Sequence, residues 1–169
     1  MQEDDKDPDA DTASRIIAAE IGVKTIAPIT SSDPNFDLAC AYRLQQSITR
    51  IRLSQGWRAI GRKIGFTNRS IWPLYNVDAP MWAPVFDRTV THAGEGSVIL
   101  SLAGIVQPRI EPEILFTLAA PLPAGLTHPE QVLDFVDGYA HAIEIVQSHF
   151  PDWKARLPDF CARSEEHTF

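Results

Sequence analysis

Glu111 and Glu113 stand two apart in the run Arg109 to Leu118 (RIEPEILFTL), and a strand there puts both carboxylates on one face. Ile110, Pro112, Ile114 and Phe116 take the other face. Carboxylates held side by side repel, and burial raises the pKa of at least one of them. A divalent cation resolves the conflict, and hard oxygen ligands suit magnesium or manganese. The same spacing also fits a solvent-facing pair on an amphipathic edge strand, since exposed glutamate is common. Glu144 narrows the choice, because it interrupts the apolar stretch Ala140 to Val146 between Ile143 and Ile145. A carboxylate in a buried strand is costly unless it is paired or bound to a metal. It therefore serves either as a third metal ligand or as the partner of Arg109 or Lys63 in an internal salt bridge.

Lys63 lies between Arg62 and Ile64 in a run bracketed by Gly61 and Gly65. A lysine so placed could orient a substrate carboxylate or, if desolvated, move a proton, while a surface lysine is the plainer reading. His141 is three positions from Glu144 and so faces the other side of the strand. Ser148, His149 and Asp152 could line the mouth of a site or form a hydrogen-bonded loop, and Trp72, Trp82 and Trp153 read as packing residues. The chain contains no GxxxxGK phosphate loop, no GxGxxG and no GxSxG elbow.

The elements that must position these residues follow from periodicity. Residues 1–13 are acidic and nearly devoid of apolar side chains, which predicts a disordered tail. A short helix is predicted from about Ala13 to Glu20. A longer one follows SSDPNFD, capped by Ser32 or Asp33 with Pro34 in its first turn, and ends near Gln55 before Gly56. Its stripe is Phe36, Cys40, Leu44, Ile48 and Ile51, with Ala41 beside it. Beyond it, strands are predicted at Trp57 to Phe66, Pro84 to Val90, Ser97 to Leu102, Arg109 to Leu118 and Tyr139 to Gln147. A helical turn is predicted near Ser70 to Tyr75, and a helix through Val136 opened by a Thr127–Glu130 capping box. Short strands mixed with a few helices give an α+β class.

Composition bounds the partners. The net charge of −7 argues against nucleic acid and anionic membrane surfaces, which reward clustered Lys and Arg. No apolar run approaches the roughly 20 residues of a membrane span, and no secretory signal is visible at the N-terminus. Cys40 and Cys161 lie far apart without a CxxC pattern, which predicts neither a disulfide framework nor a zinc site, and a cytoplasmic location.

Three segments in fixed order carry a resemblance: GRKIGFT (Gly61 to Thr67), QPRIEPEILF (Gln107 to Phe116) and AIEIVQSHFPDW (Ala142 to Trp153). Together they resemble the 2-keto-4-pentenoate hydratase branch of the fumarylacetoacetate hydrolase superfamily, from the helix near Tyr42 to about Ala162. The resemblance implies N-terminal helices followed by a mixed β-sheet or β-roll of that superfamily's type, incomplete at the C-terminus. It implies a helical region at 14–56 and a partial catalytic domain at 57–162. It also implies that Glu111, Glu113 and Glu144 bind magnesium or manganese and that Lys63 is an active-site residue.

The implied reaction adds water to a 2-hydroxy-2,4-dienoate to give a 4-hydroxy-2-oxo acid in the degradation of aromatic compounds. The implied partners are a small 2-oxo or 2-hydroxy-dienoic acid and, at full length, further copies of the chain in a homo-oligomer. A 2-oxo-acid decarboxylase or C–C hydrolase would use the same metal logic, and a non-catalytic interaction module is the reading from a different class. Val77-Asp78-Ala79-Pro80 leads to Met81 and Trp82, where many relatives have an acidic residue and then an aromatic one. Residues 163–169 (RSEEHTF) do not resemble the family, and all but Phe169 match the translation of a common sequencing-library adapter. They are expected to be a non-native tail, and the chain as it stands is expected to be poorly active.

Overall fold

The computed structural model describes residues 7–94, 96–163 and 167–168. Two helices open the chain, α1 (Ala10–Ile21) and α2 (Leu38–Ser54). Helix α1 starts three residues before the expected point, so residues 10–13, read as part of the acidic tail, are helical; residues 1–6 lie outside the described residues. Asp37, not Ser32 or Asp33, caps α2, its carboxylate accepting from the Cys40 N–H at 2.8 Å. The SSDP stretch is spent on a 3-10 turn and a bend, because Asp33 accepts from the Asn35 N–H at 3.0 Å. Local side-chain bonding of this kind competes with helix initiation.

The predicted stripe of α2 is borne out. Phe36, Ala41, Leu44 and Ile48 are buried against Ala13, Ile16 and Ile17 of α1 and against Cys161 and Ala162 of α5 (Leu157–Ala162), while Cys40 and Ile51 pack at the edge. Gln45 in the middle of α2 donates to the carbonyls of Cys161 at 3.0 Å and Trp82 at 3.3 Å, so one buried amide ties two helices to a strand.

Two antiparallel sheets complete the fold. Strand β1 (Ala59–Gly65) pairs with β2 (Met81–Phe86), Lys63 lying opposite Ala83. Between them run a 3-10 turn and the short helix α3 (Trp72–Tyr75) near the expected place. Strand β2 begins and ends earlier than predicted. Asp87 accepts from the Arg58 N–H and guanidinium at 3.0 Å each and turns the chain into a 3-10 helix through Thr89.

Strand β3 (Arg109–Leu118) spans the predicted residues and pairs along its length with β4 (Val136–Val146), whose end at residues 144–145 is met by β5 (His167–Thr168). Of the tail expected to be non-native, residues 164–166 and 169 lie outside the described residues. The predicted strand at 97–102 is absent. Ile99 is 98% exposed, and a β-prone run without a neighbouring ladder has nothing to pair with. The Thr127–Glu130 box is replaced by Gln131, whose Oε1 accepts from the N–H groups of Thr127 and His128, and helix α4 (Glu130–Leu133) is a single turn. No helix among the described residues is long and apolar enough to cross a membrane.

Candidate metal centre

The β3–β4 register places Glu111 directly opposite Glu144, with Glu113 two residues along the same face and opposite Ala142. Like charges directly opposed across an antiparallel pair destabilise it, so the sheet carries a built-in conflict at this point. Glu144 is 3% exposed, Glu113 is half-buried and Glu111 is exposed. One carboxylate oxygen from each lies within 4.8 Å of the others. Burial, then the charges of Glu144 and Glu111, raise the Glu113 carboxyl above its ordinary range, and Lys63 opposes that shift.

Lys63 reaches this cluster from the other sheet. Its Nζ donates to Glu144 Oε1 at 2.7 Å, with both side chains largely shielded from water. Of the two sequence readings of Glu144, the salt bridge is the one observed, with Lys63 and not Arg109 as its partner. On the face of β1 that carries Lys63 the flanking positions are Gly61 and Gly65, where an added Cβ would meet nothing within 4 Å. The lysine thus has open space on either side of it.

The donor set fits a hard divalent cation. Three carboxylates and one ammonium leave two formal negative charges (three less one), which such an ion cancels. An octahedral site with metal–oxygen distances of about 2.1 Å needs ligand oxygens about 3–4 Å apart. The observed limit of 4.8 Å is wider than the roughly 3 Å of neighbouring octahedral ligands by up to about 1.8 Å.

The cluster opens into a cleft of about 550 Å³. Phe66, Met81 and Trp82 give the lining apolar surface, and Arg109, Ser148 and Trp153 also line it. Met81 and Trp82, which stand where many relatives of the resembled family have an acidic residue and an aromatic one, thus border the cleft. Trp82 also stacks on Tyr42 with ring centroids 5.6 Å apart, and Trp72 donates from Nε1 to the Phe66 carbonyl at 2.8 Å, so both serve packing as expected.

His141 is exposed on the far face, opposite Ile114. His149 is fully buried and away from the cleft, its Nδ1 2.7 Å from the Lys24 carbonyl oxygen and its Nε2 3.3 Å from Gln147 Oε1. Burial, with Arg163 nearby, pushes its pKa from 6.5 down to about 4. Of the two readings of this loop, the hydrogen-bonded one describes His149, while Ser148 does border the cleft. Sequence reasoning missed Gln107, whose side chain bonds the Ser148 and Phe150 carbonyls and the Asp152 N–H, Trp153, over whose ring the Arg109 guanidinium sits at 4.1 Å, and Asp159, which accepts from the Thr30 N–H. Only Asp159 had a local signal, the Pro-Asp pair at a helix start.

No family model matches the chain. It is 34% identical over 148 residues to 2-hydroxyhexa-2,4-dienoate hydratase from Comamonas testosteroni, covering 88% of this chain and 56% of that protein. It is 33% identical over 156 residues to 2-keto-4-pentenoate hydratase from Burkholderia vietnamiensis, covering 90% of this chain and 57% of that protein. The chain therefore spans a little over half the length of the curated relatives it matches. Among solved structures, 4-oxalocrotonate decarboxylase from Pseudomonas putida G7, complexed with magnesium and adipate, superposes with a TM-score of 0.89 at 23% identity, covering 99% of this chain and 64% of that one. That likeness establishes the fold. The resemblance seen in the three motifs is borne out in sequence.

Proposed function

We propose that this chain, a homologue of the 2-keto-4-pentenoate hydratases over a little more than half their length, carries the metal-binding half of a hydratase acting on 2-hydroxy-2,4-dienoates in aromatic degradation. The observation that carries the reading is the convergence of Glu111, Glu113 and Glu144 within 4.8 Å, with the Lys63 ammonium 2.7 Å from Glu144. Glu111, Glu113 and Glu144 would hold magnesium or manganese. When bound, the ion supplies chelation of a 2-oxo acid through its carboxylate and 2-oxygen and draws off the charge that develops there. The magnesium and calcium named with the solved decarboxylase structures support a divalent ion at this place.

Lys63 holds Glu144 in position and sits where it can give or take a proton at the substrate carbon chain during tautomerisation. The apolar side chains of Phe66, Met81 and Trp82 in the cleft lining suit the diene. We assign residues 57–162 to the catalytic part because all four site side chains come from strands within it, and 14–56 to the helical support. Ile110, Ile114, Phe116 and Tyr139 are more than half exposed on the opposite face of β3–β4, which favours association and suits the homo-oligomer implied at full length.

Decarboxylation is the second reading, because a 4-oxalocrotonate decarboxylase shares the fold. Loss of dienoate ultraviolet absorbance with Mg²⁺ present, followed by product analysis, separates the two. A 4-hydroxy-2-oxo acid supports hydration, and carbon dioxide supports decarboxylation. Folded chain that binds the metal and turns over neither substrate favours a non-catalytic module.

A further inference from the structure

Glu111, Glu113 and Glu144 converge with three formal negative charges, and hard oxygen donors attract trivalent as well as divalent cations. Such sites tune their affinity through the number of charges they hold. On their own the three carboxylates match a trivalent ion such as ferric iron. The fold adds a correction. Lys63 Nζ lies 2.7 Å from Glu144 Oε1, and the two side chains are 20% and 5% exposed.

This ammonium is placed from outside the ladder that carries the carboxylates. Lys63 comes from β1, opposite the buried Ala83 of β2, whereas the three glutamates come from β3 and β4. A charge held this close to the cluster and shielded from water is screened little by salt. Arg109 and Arg163 also line the cleft, but the Arg109 guanidinium lies 4.1 Å from the Trp153 ring centroid and Arg163 donates to the Gln147 carbonyl at 3.4 Å. Among the described residues, Lys63 is the cation bonded to a member of the cluster. The open space at Gly61 and Gly65 beside it also leaves room for a bulkier cation at this position.

We infer that Lys63 is the charge selector of the glutamate site, lowering its charge from three negative to two (three carboxylates less one ammonium) and so favouring divalent over trivalent cations. This rests on the metal-site reading above. A fixed unit charge beside the site repels an ion in proportion to the charge that the ion carries. At this range each further charge on the ion is disfavoured by about tenfold or more. Lys63 is thus a specificity residue for the metal, in addition to holding Glu144 in place.

The test is a competition between Tb³⁺ and Ca²⁺, ions of nearly equal radius and different charge, on the full chain. Displacement of Tb³⁺ by Ca²⁺, followed by tryptophan-sensitised Tb³⁺ luminescence, reads the affinity ratio directly, with Trp82 and Trp153 of the cleft lining as antennae. Lys63→Gln should raise the preference for Tb³⁺ by about tenfold or more, and Lys63→Arg should keep it within about threefold of the parent. Glu111→Gln, at an exposed position, should lower it by a similar factor, giving a graded series in site charge. Loosening Glu144 weakens both ions alike, so the ratio separates charge from fold. An unmoved ratio in Lys63→Gln overturns the inference, as does a rise in Lys63→Arg equal to that in Lys63→Gln. If Lys63→Gln does not fold, a large rise in Lys63→Arg or an unmoved ratio in Glu111→Gln overturns it instead. Tb³⁺ binding with a flat series sinks this inference alone, whereas a folded parent that takes up neither ion sinks the metal-site reading and this inference with it.

Discussion

Among the described residues two carboxylates are almost wholly withdrawn from water, and their surroundings are opposite in kind. Asp159, fully buried at the start of α5, accepts from the Thr30 N–H at 3.0 Å, the Thr30 hydroxyl at 2.7 Å and the Arg156 N–H at 3.0 Å. Fixed neutral donors surround it and tie α5 to the turn before α2. Glu144, 3% exposed, faces Glu111 across the ladder, has Glu113 beside it and receives the Lys63 ammonium. A buried charge saturated by backbone and hydroxyl donors serves the fold. One crowded by like charges and met by a single ammonium is the place where a divalent cation is proposed.

That contrast can be broken by exchanging the two losses. Asp159→Ala strands three donors, each worth about 1–3 kcal/mol when left unsatisfied, and is expected to destabilise the chain by about 3 kcal/mol or more in urea unfolding. Glu144→Gln keeps an acceptor for Lys63 and removes the repulsion from Glu111, so metal-free stability should change by less than about 1 kcal/mol. Equal losses in the two variants would erase the distinction.

Lys63→Met sharpens the same point. It leaves Glu144 without its cation, and metal-free stability should fall by about 1–3 kcal/mol. Saturating Mg²⁺ should recover most of the deficit with metal affinity largely kept, whereas a deficit unchanged by metal would mean that Lys63 and the ion do not share Glu144.

A smaller effect concerns pH. The buried imidazole of His149 has a pKa of about 4 against 6.5 when unfolded. Between those values the unfolded chain binds a proton that the folded chain refuses, so stability falls as pH drops through that window. His149→Gln should flatten the pH 7 to 5 part of the stability curve, and an unaltered slope would place the titration elsewhere. Smallest of all, Ile99→Ser should stay within about 0.5 kcal/mol of the parent, because Ile99 packs against nothing. A larger loss would revive the strand expected at 97–102.

The sequence disclosed these regions unevenly. Glu111, Glu113 and Glu144 were legible because a period of two fixes the face and because a charge inside an apolar run demands a reason. The stripe of α2 was legible through its 3.6-residue period. Its start was not, since Asp33 and Asp37 are equally good caps and only the bend made by Asp33 and Asn35 decides between them. The run at 97–102 has strand propensity but no ladder to join, and propensity is blind to partners. Asp159 and Gln107 bond partners 129 and 41 or more residues away in the chain, so the Pro-Asp pair marks the start of α5 without disclosing what Asp159 holds. Gln107 was visible only as part of the QPR motif, without its role.

The central claim is that Glu111, Glu113 and Glu144 form one divalent-cation site. Titration of the chain with Mn²⁺, followed by calorimetry and by electron paramagnetic resonance of the free ion, tests it most directly when run beside Glu144→Gln. The expected result is one ion per chain, with affinity at least a hundredfold weaker in the variant, about 2.7 kcal/mol, while circular dichroism shows both chains equally folded. A folded parent that binds no ion, or a variant that binds it as tightly, would contradict the assignment.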